Sequence, residues 1–109
     1  MTKVLYTVAF ASGAAKLGTA AKAGIKKALE DLHGQPTIIL DAYADAAGDE
    51  ELNLTLTTAR AIAVEQHMVA LGYPAHKLLT RSRGERVFER ANLSTQAPPS
   101  RRVELVALT

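Results

Sequence analysis

"TIILDAYADAAGDEELNLTLTTARAIAVEQHMVALG", residues 37–72, changes its hydrophobic period part-way along. From Ile38 onward the side chains alternate. Ile38, Leu40, Ala42 and Ala44 fall on one face and Ile39, Asp41, Tyr43 and Asp45 on the other, which is the period of a β-strand. Beyond "AAGD" the pattern is that of a long helix. Asp49 stands in the capping position, Glu50 and Glu51 suit the positive helix start, and Gly72 supplies the stop. A strand feeding directly into a helix is half of a strand–helix–strand unit.

The flanking segments complete the unit twice over. Upstream, "KVLYTVAF" (residues 3–10) is β-branched and aromatic, with Val4, Tyr6, Val8 and Phe10 expected on one side of a strand. "ASGAAKLG" is a loop of small residues. "TAAKAGIKKALEDLHG" places Ala21, Ile25, Ala28, Leu29 and Leu32 at helical spacing, with Thr19 as the cap and Gly34 as the stop. Downstream, "YPAHK" is a turn and "LLTRSRGERVF" a third strand, basic on one side. "ERANLSTQAPPS" is a polar loop with two prolines, and "RRVELVAL" is a final alternating strand. The order is β-α-β-α-β-β. Right-handed crossovers then lay both helices on one face of a mixed sheet. The expected fold is an α/β (α+β) two-layer sandwich, one domain over residues 1–109, with the other sheet face partly solvated.

The bulk properties narrow the function classes. At 109 residues, 48% hydrophobic and 22% charged, the chain carries one core. Its formal charge of +2 is too weak to argue for nucleic acid. The absence of cysteine excludes disulfides and thiolate chemistry. No apolar run reaches the roughly 18 residues of a membrane span. The N-terminus lacks a signal-peptide plan, so work outside the cytoplasm would make this chain a piece of a longer one. His33, His67 and His76 are isolated, and Asp49, Glu50 and Glu51 lack the spacing of a calcium loop, so no metal is expected. No nucleophile is paired with a base and no phosphate-cradling loop follows a strand. Neither catalysis nor a cofactor is therefore expected.

One constellation stands out. Asn53 and Arg60 are seven residues apart, about 700° around a helix, and so share a face within about 20°. Leu56 and Thr57 lie between them on that side, and the end of the second strand brings Asp45 to the same region. Asp45 and Arg60 can pair with each other and anchor helix to sheet, or together hold a ligand that carries both charges. Arg81, Arg83, Arg86 and Arg90 form a basic stripe, readable as a solvated face or as a rim for an anionic glycan or a partner.

Over essentially its whole length, from "VAFASGAAKL" to "SRRVELV", the chain resembles the OmpA-like peptidoglycan-binding domain, the module also found in Pal lipoproteins and in the C-terminal part of MotB. "NLTLTTARAIAV" followed by "LGYPAHKL" resembles the family's N-x-x-L-S-x-x-R-A-x-A-V and its following glycine turn. Asp45 sits where the family's G-H-T-D ends and Gly48 matches a glycine three residues on. Gly84–Glu85 and "SRRVEL" resemble G-Y-G-E and N-R-R-V-E.

The resemblance implies a non-catalytic module of a Gram-negative envelope protein, periplasmic, holding the diaminopimelate stem peptide of peptidoglycan. Asp45 would accept from the ammonium and Arg60 would fork onto the carboxylate. Asn53 would order the loop or add a hydrogen bond, Leu56 and Thr57 would line the site, and backbone N–H groups from Phe10 and Ala11 to Gly13 would complete it. Of Arg101 and Arg102, one is expected to pack at the loop as a structural member and the other to lie near the pocket, and Arg102 is assigned to the pocket. The chain departs from the family pattern at three places. Tyr43 and Ala44 replace the histidine and threonine, Ala11 stands where an acid is usual, and Arg83 replaces an aromatic. These departures keep open an alternative, a degenerate domain that no longer binds peptidoglycan and serves as an assembly element of an envelope machine through other envelope proteins.

Overall fold

The computed structural model describes residues 1–11, 13–43, 50–84 and 101–109, with the side chains of residues 50, 53, 83 and 84 left aside. In chain order the elements are β1 (Thr2–Ala9), α1 (Thr19–Glu30), β2 (Ile38–Tyr43), α2 (Glu50–Ala70), a 3-10 turn (Ala75–Lys77), β3 (Leu78–Gly84) and β4 (Arg102–Leu108). The strands form a four-stranded sheet in the order β1-β4-β2-β3. β4 runs antiparallel to both β1 and β2, whereas β2 and β3 are parallel. So β1, β2 and β3 all point the same way and end at the same edge. This is the expected mixed sheet with two helices.

One continuous core joins the layers. Ile25 of α1 and Ala61, Val64 and Met68 of α2 pack on Val8, Ile38, Leu40, Ala42, Leu78, Val103, Leu105 and Ala107 of the four strands. The contributing strand positions alternate, so a single sheet face is covered by both helices. Burying each of the larger side chains contributes roughly 1.5–3 kcal/mol. No helix of the described residues is long and apolar enough to cross a membrane.

Two local devices set how the helices meet the sheet. In α1, Gly24 lies under the Tyr6 ring; a Cβ there would stand 2.1 Å from Tyr6 Cζ. The missing side chain therefore lets the helix settle onto β1. At the end of α2, Gly72 takes φ +101°, a left-handed conformation suited to glycine. Its N–H donates to the Val69 carbonyl at 2.9 Å, and the Tyr73 N–H donates to the Met68 carbonyl at 3.0 Å. That is a Schellman cap, closed by the contact expected of it, with Tyr73 and Met68 both in the core.

Within these elements the structure corrects two sequence expectations. Thr19 is the first residue of α1, and Gly18 occupies the cap with no side-chain hydrogen bond. In β1 the register shifts between Val4 and Tyr6, so Leu5 is an extra residue of a bulge. Leu5 and Tyr6 both turn to the core, and Val4 is left on the other face, 50% exposed. The helix-free face is partly solvated as expected, with Val4 and Leu79 exposed, and it also buries a polar cluster. Asp41, Tyr43, Arg102 and Glu104 are all buried there. Arg81 Nε and Nη2 donate to the two Asp41 carboxylate oxygens at 2.6 and 2.9 Å, and these bonds raise the guanidinium pKa above its usual value. Arg102 Nε donates to Glu104 at 3.0 Å and its guanidinium lies 4.0 Å over the Tyr43 ring, while the Tyr43 hydroxyl donates to the other Glu104 oxygen at 3.3 Å. Fork-shaped charge pairs and a stacked ring let charged groups leave water together.

Candidate ligand-binding site

In open α/β sheets, ligands are received beyond the carboxyl ends of parallel strands, where the crossover helices begin. Here that edge gathers the end of β1 at Phe10, the end of β2 at Tyr43, the end of β3 at Ser82 and Gly84, and the first half of α2. Five of the residues singled out in the sequence are described there with their side chains: Phe10, Ala11, Leu56, Thr57 and Arg60.

Arg60 is the centre of the arrangement. It is 1% exposed, and its Nε donates to the Ala14 carbonyl at 2.8 Å while Nη2 donates to the Ala11 carbonyl at 3.1 Å. Its guanidinium stands 5.2 Å from the Phe10 ring centroid, within cation–π range. The loop it grips is a tight turn. The Ala14 N–H donates to the Ala11 carbonyl at 3.1 Å, and Gly13 has φ +72°, the positive value a type II turn needs at its third position. The helical arginine thus fixes the backbone that follows β1.

One turn before Arg60, Thr57 is wholly buried. Its hydroxyl donates to the Leu54 carbonyl at 3.0 Å and lies 2.6 Å from the Ser82 hydroxyl of β3. Leu56 beside it is half-buried. The end of β1 is clamped from β4 as well: the Phe10 N–H donates to the Arg101 carbonyl at 2.9 Å, and Arg101 Nε donates to the Phe10 carbonyl at 3.3 Å.

Arg102 is not brought to this group. It lies on the helix-free face with Glu104 and Tyr43, and Arg101 is the member of that pair that meets Phe10. The alternation of β4 explains this, since Val103 must enter the core and Arg102 then faces away. Asp45 and the side chain of Asn53 lie outside the described residues, as do Asp49, Arg86, Arg90 and the side chain of Arg83. Arg81, the remaining member of the basic stripe, is half-exposed and bound to Asp41.

Ser82 and Ala14 are the neighbours that the sequence left unassigned, while Arg101 packs at the loop as expected of one member of its pair. Alternation from Leu78 signals that Ser82 faces the helices, but nothing in the sequence pairs it with Thr57. A cavity of about 620 Å³ lies at the opposite pole, between the start of β1 and the end of α1, lined by Lys3, Leu5, Ala28 and Leu32 among others. Its size alone does not outweigh the convergence of buried polar groups at the strand ends.

A family model described as "OmpA family" matches residues 9–104. The chain belongs to the OmpA family. Among solved structures, this OmpA-family chain is similar to the peptidoglycan-associated lipoprotein from Burkholderia pseudomallei, with 25% identity, a TM-score of 0.77, and coverage of 94% of this chain and 89% of that one. It is also similar in fold to the OmpA-like domain of FopA1 from Francisella tularensis subsp. tularensis SCHU S4 (22% identity, TM-score 0.65, 93% and 69% covered). A third likeness is to the cell wall anchor of the T6SS from Pseudomonas aeruginosa (19% identity, TM-score 0.58, 94% and 79% covered). No curated protein matches the sequence.

Proposed function

We propose that this domain is a non-catalytic peptidoglycan-binding module that anchors an envelope protein or complex to the cell wall from the periplasmic side. The observation that carries the reading is Arg60, a buried cation at the strand-end edge that organises the Ala11–Ala14 turn. It stands at the arginine of the motif by which the chain resembles its family. The relatives named for peptidoglycan association and for a cell wall anchor support the same reading. In it, the ligand is the diaminopimelate end of a stem peptide. Arg60 supplies the positive charge toward its carboxylate, Asp45 receives its ammonium, and Asn53 and the backbone after Phe10 complete the contacts. Residues 1–109 act as one such domain.

A second reading has its own observation. Two N–H groups of Arg60 are committed to the Ala11 and Ala14 carbonyls, and the side chain is 1% exposed. On this reading Arg60 is a strut, peptidoglycan binding has been lost, and the domain serves assembly through other envelope proteins. Pull-down with purified sacculi separates the two, using the wild type, Asp45→Ala and Arg60→Ala. The binding reading expects the wild type in the pellet and both variants released, with Asp45→Ala still folded by circular dichroism. A wild type that stays in the supernatant at low salt removes it.

A further inference from the structure

The charges of the chain are unevenly distributed. Residues 1–29 hold five lysines and no acid, the first acid being Glu30. With thirteen cations and eleven acids in all, residues 30–109 are left with eight against eleven. The β1–α1 end of the chain is therefore positive and the remainder negative. Surface cations of a folded domain are ordinarily interspersed with acids. Here Lys16, Lys22 and Lys26 are exposed, and among the described residues none of the three is in an ion pair. Lys27, beside them, meets Asp31 at 3.7 Å.

Placement ties these lysines to the strand-end edge. α1 starts just past the turn that Arg60 holds and runs away from that edge toward the start of β2. Lys16 is two residues beyond Ala14, so their Cα atoms are within about 8 Å of each other, about one Debye length at physiological salt. Lys22 and Lys26 follow on α1, about 40° apart around the helix and about 6 Å apart along it, so they share one side. The exposed residues around them, Thr19, Ala20 and Ala23, are small. Among the described residues, none of the exposed large apolar side chains belongs to α1. A helix that docks on a bilayer presents bulky apolar groups beside its cations, and α1 presents only the cations.

We propose that Lys16, Lys22 and Lys26 form an electrostatic track for the cell-wall polymer, taking carboxylates of stem peptides that neighbour the one held at the strand ends. The inference rests on the wall-binding reading and adds a surface which that reading does not use. Peptidoglycan repeats its stem peptides along each glycan strand, so a domain seated on one stem end stands among further free carboxylates. An exposed lysine is a point charge on a flexible stem, suited to carboxylates whose positions vary. Each such contact is weak and screened by salt. Several on one polymer act together with the anchored stem, because they form at high local concentration. The track strengthens the hold on the wall and leaves selection of the stem end to the strand-end site.

The test compares the polymer with a single stem. Wild type, Lys22→Gln/Lys26→Gln and Lys22→Arg/Lys26→Arg are measured on purified sacculi and on a soluble stem tripeptide ending in diaminopimelate. Both positions are exposed, so circular dichroism should report an unchanged fold. The glutamine variant is expected to bind sacculi about fivefold more weakly at low salt, in line with two exposed charge contacts, and to lose less on adding salt. Its affinity for the tripeptide should match wild type, and the arginine variant should match wild type on both. Equal binding of sacculi by the glutamine variant and wild type, or an equal loss on the tripeptide, overturns the track while the stem-peptide reading stands. Wild type is also sedimented with anionic phosphatidylglycerol vesicles. Binding there as strong as on sacculi, with the same loss in the glutamine variant, assigns the lysines to a membrane surface and overturns the track. A wild type that binds sacculi with this lysine dependence but ignores the tripeptide removes the diaminopimelate assignment alone. A wild type absent from the sacculi overturns both.

Discussion

Arg60 reaches across 46 residues of sequence to place its Nε 2.8 Å from the Ala14 carbonyl, with the Ala11 carbonyl on the same guanidinium. A site residue and a structural strut are here the same side chain, so a binding assay alone cannot separate the roles. Lysine keeps the charge and loses the planar fork. Arg60→Lys is expected to cost about 1–3 kcal/mol by leaving a carbonyl without its donor, read as a lower urea midpoint with an unchanged slope. An unshifted midpoint would show that the turn holds itself.

Gly24 inverts the usual rule for helices. Replacing an interior glycine by alanine ordinarily gains about 1 kcal/mol of helix propensity. Here the new methyl would meet Tyr6 Cζ at 2.1 Å and Tyr6 Oη at 2.3 Å. Gly24→Ala is expected to lose about 1–2 kcal/mol net, because crowding a packed contact outweighs propensity. In a Tyr6→Val background the same change should become stabilising. A double-mutant cycle without coupling would contradict the close approach.

Tyr73 predicts an alkaline limit. Its hydroxyl donates to the Pro36 carbonyl, and burial raises its pKa above the ordinary 10.0. A folded-state pKa above the unfolded one means that the folded chain holds the proton longer. The stabilisation is therefore complete below about pH 10 and declines as pH rises past it. Chemical denaturation between pH 9 and 11 should show this decline, and Tyr73→Phe should flatten it. Identical slopes in the two proteins would remove Tyr73 as the cause.

The bulge at Leu5 makes two valines of one strand unequal. Val4 is 50% exposed and Val8 is 1% exposed. Val4→Thr should change stability by no more than about 0.5 kcal/mol, whereas Val8→Thr buries a hydroxyl and should cost about 1–3 kcal/mol. Comparable losses at both positions would mean that β1 runs without a bulge.

The fold was legible wherever one period held along a whole element. The alternation of β2 and β4 and the glycine end of α2 lie where the residues place them, because each position answers to its own segment. Val4 misled because a bulge depends on how β1 meets β4, and no local pattern in residues 3–10 records that register. Arg102 misled for a related reason: two adjacent arginines read alike until the need to bury Val103 turns one away. The ion-paired cluster of Asp41, Arg81, Tyr43, Arg102 and Glu104 was also hidden, since its members come from three strands. Of the candidate site, Arg60, Thr57, Phe10 and Ala11 fall at one edge as their helix phase and strand end suggest. Ser82 could be placed on its face but not given its partner.

The position of β4 bears on how the chain is made. Residues 102–108 lie between β1 and β2, filling the centre of the sheet from the far end of the sequence. Until they arrive, among the described strands β1 has no neighbour to pair with, and β2 has β3 alone. Synthesis delivers the chain from its N-terminus, so an emerging OmpA-family chain of this kind cannot close its sheet early. The sheet stays open until residue 108 is free, so its closure waits on the pairing with the largest sequence separation, the slow kind to form.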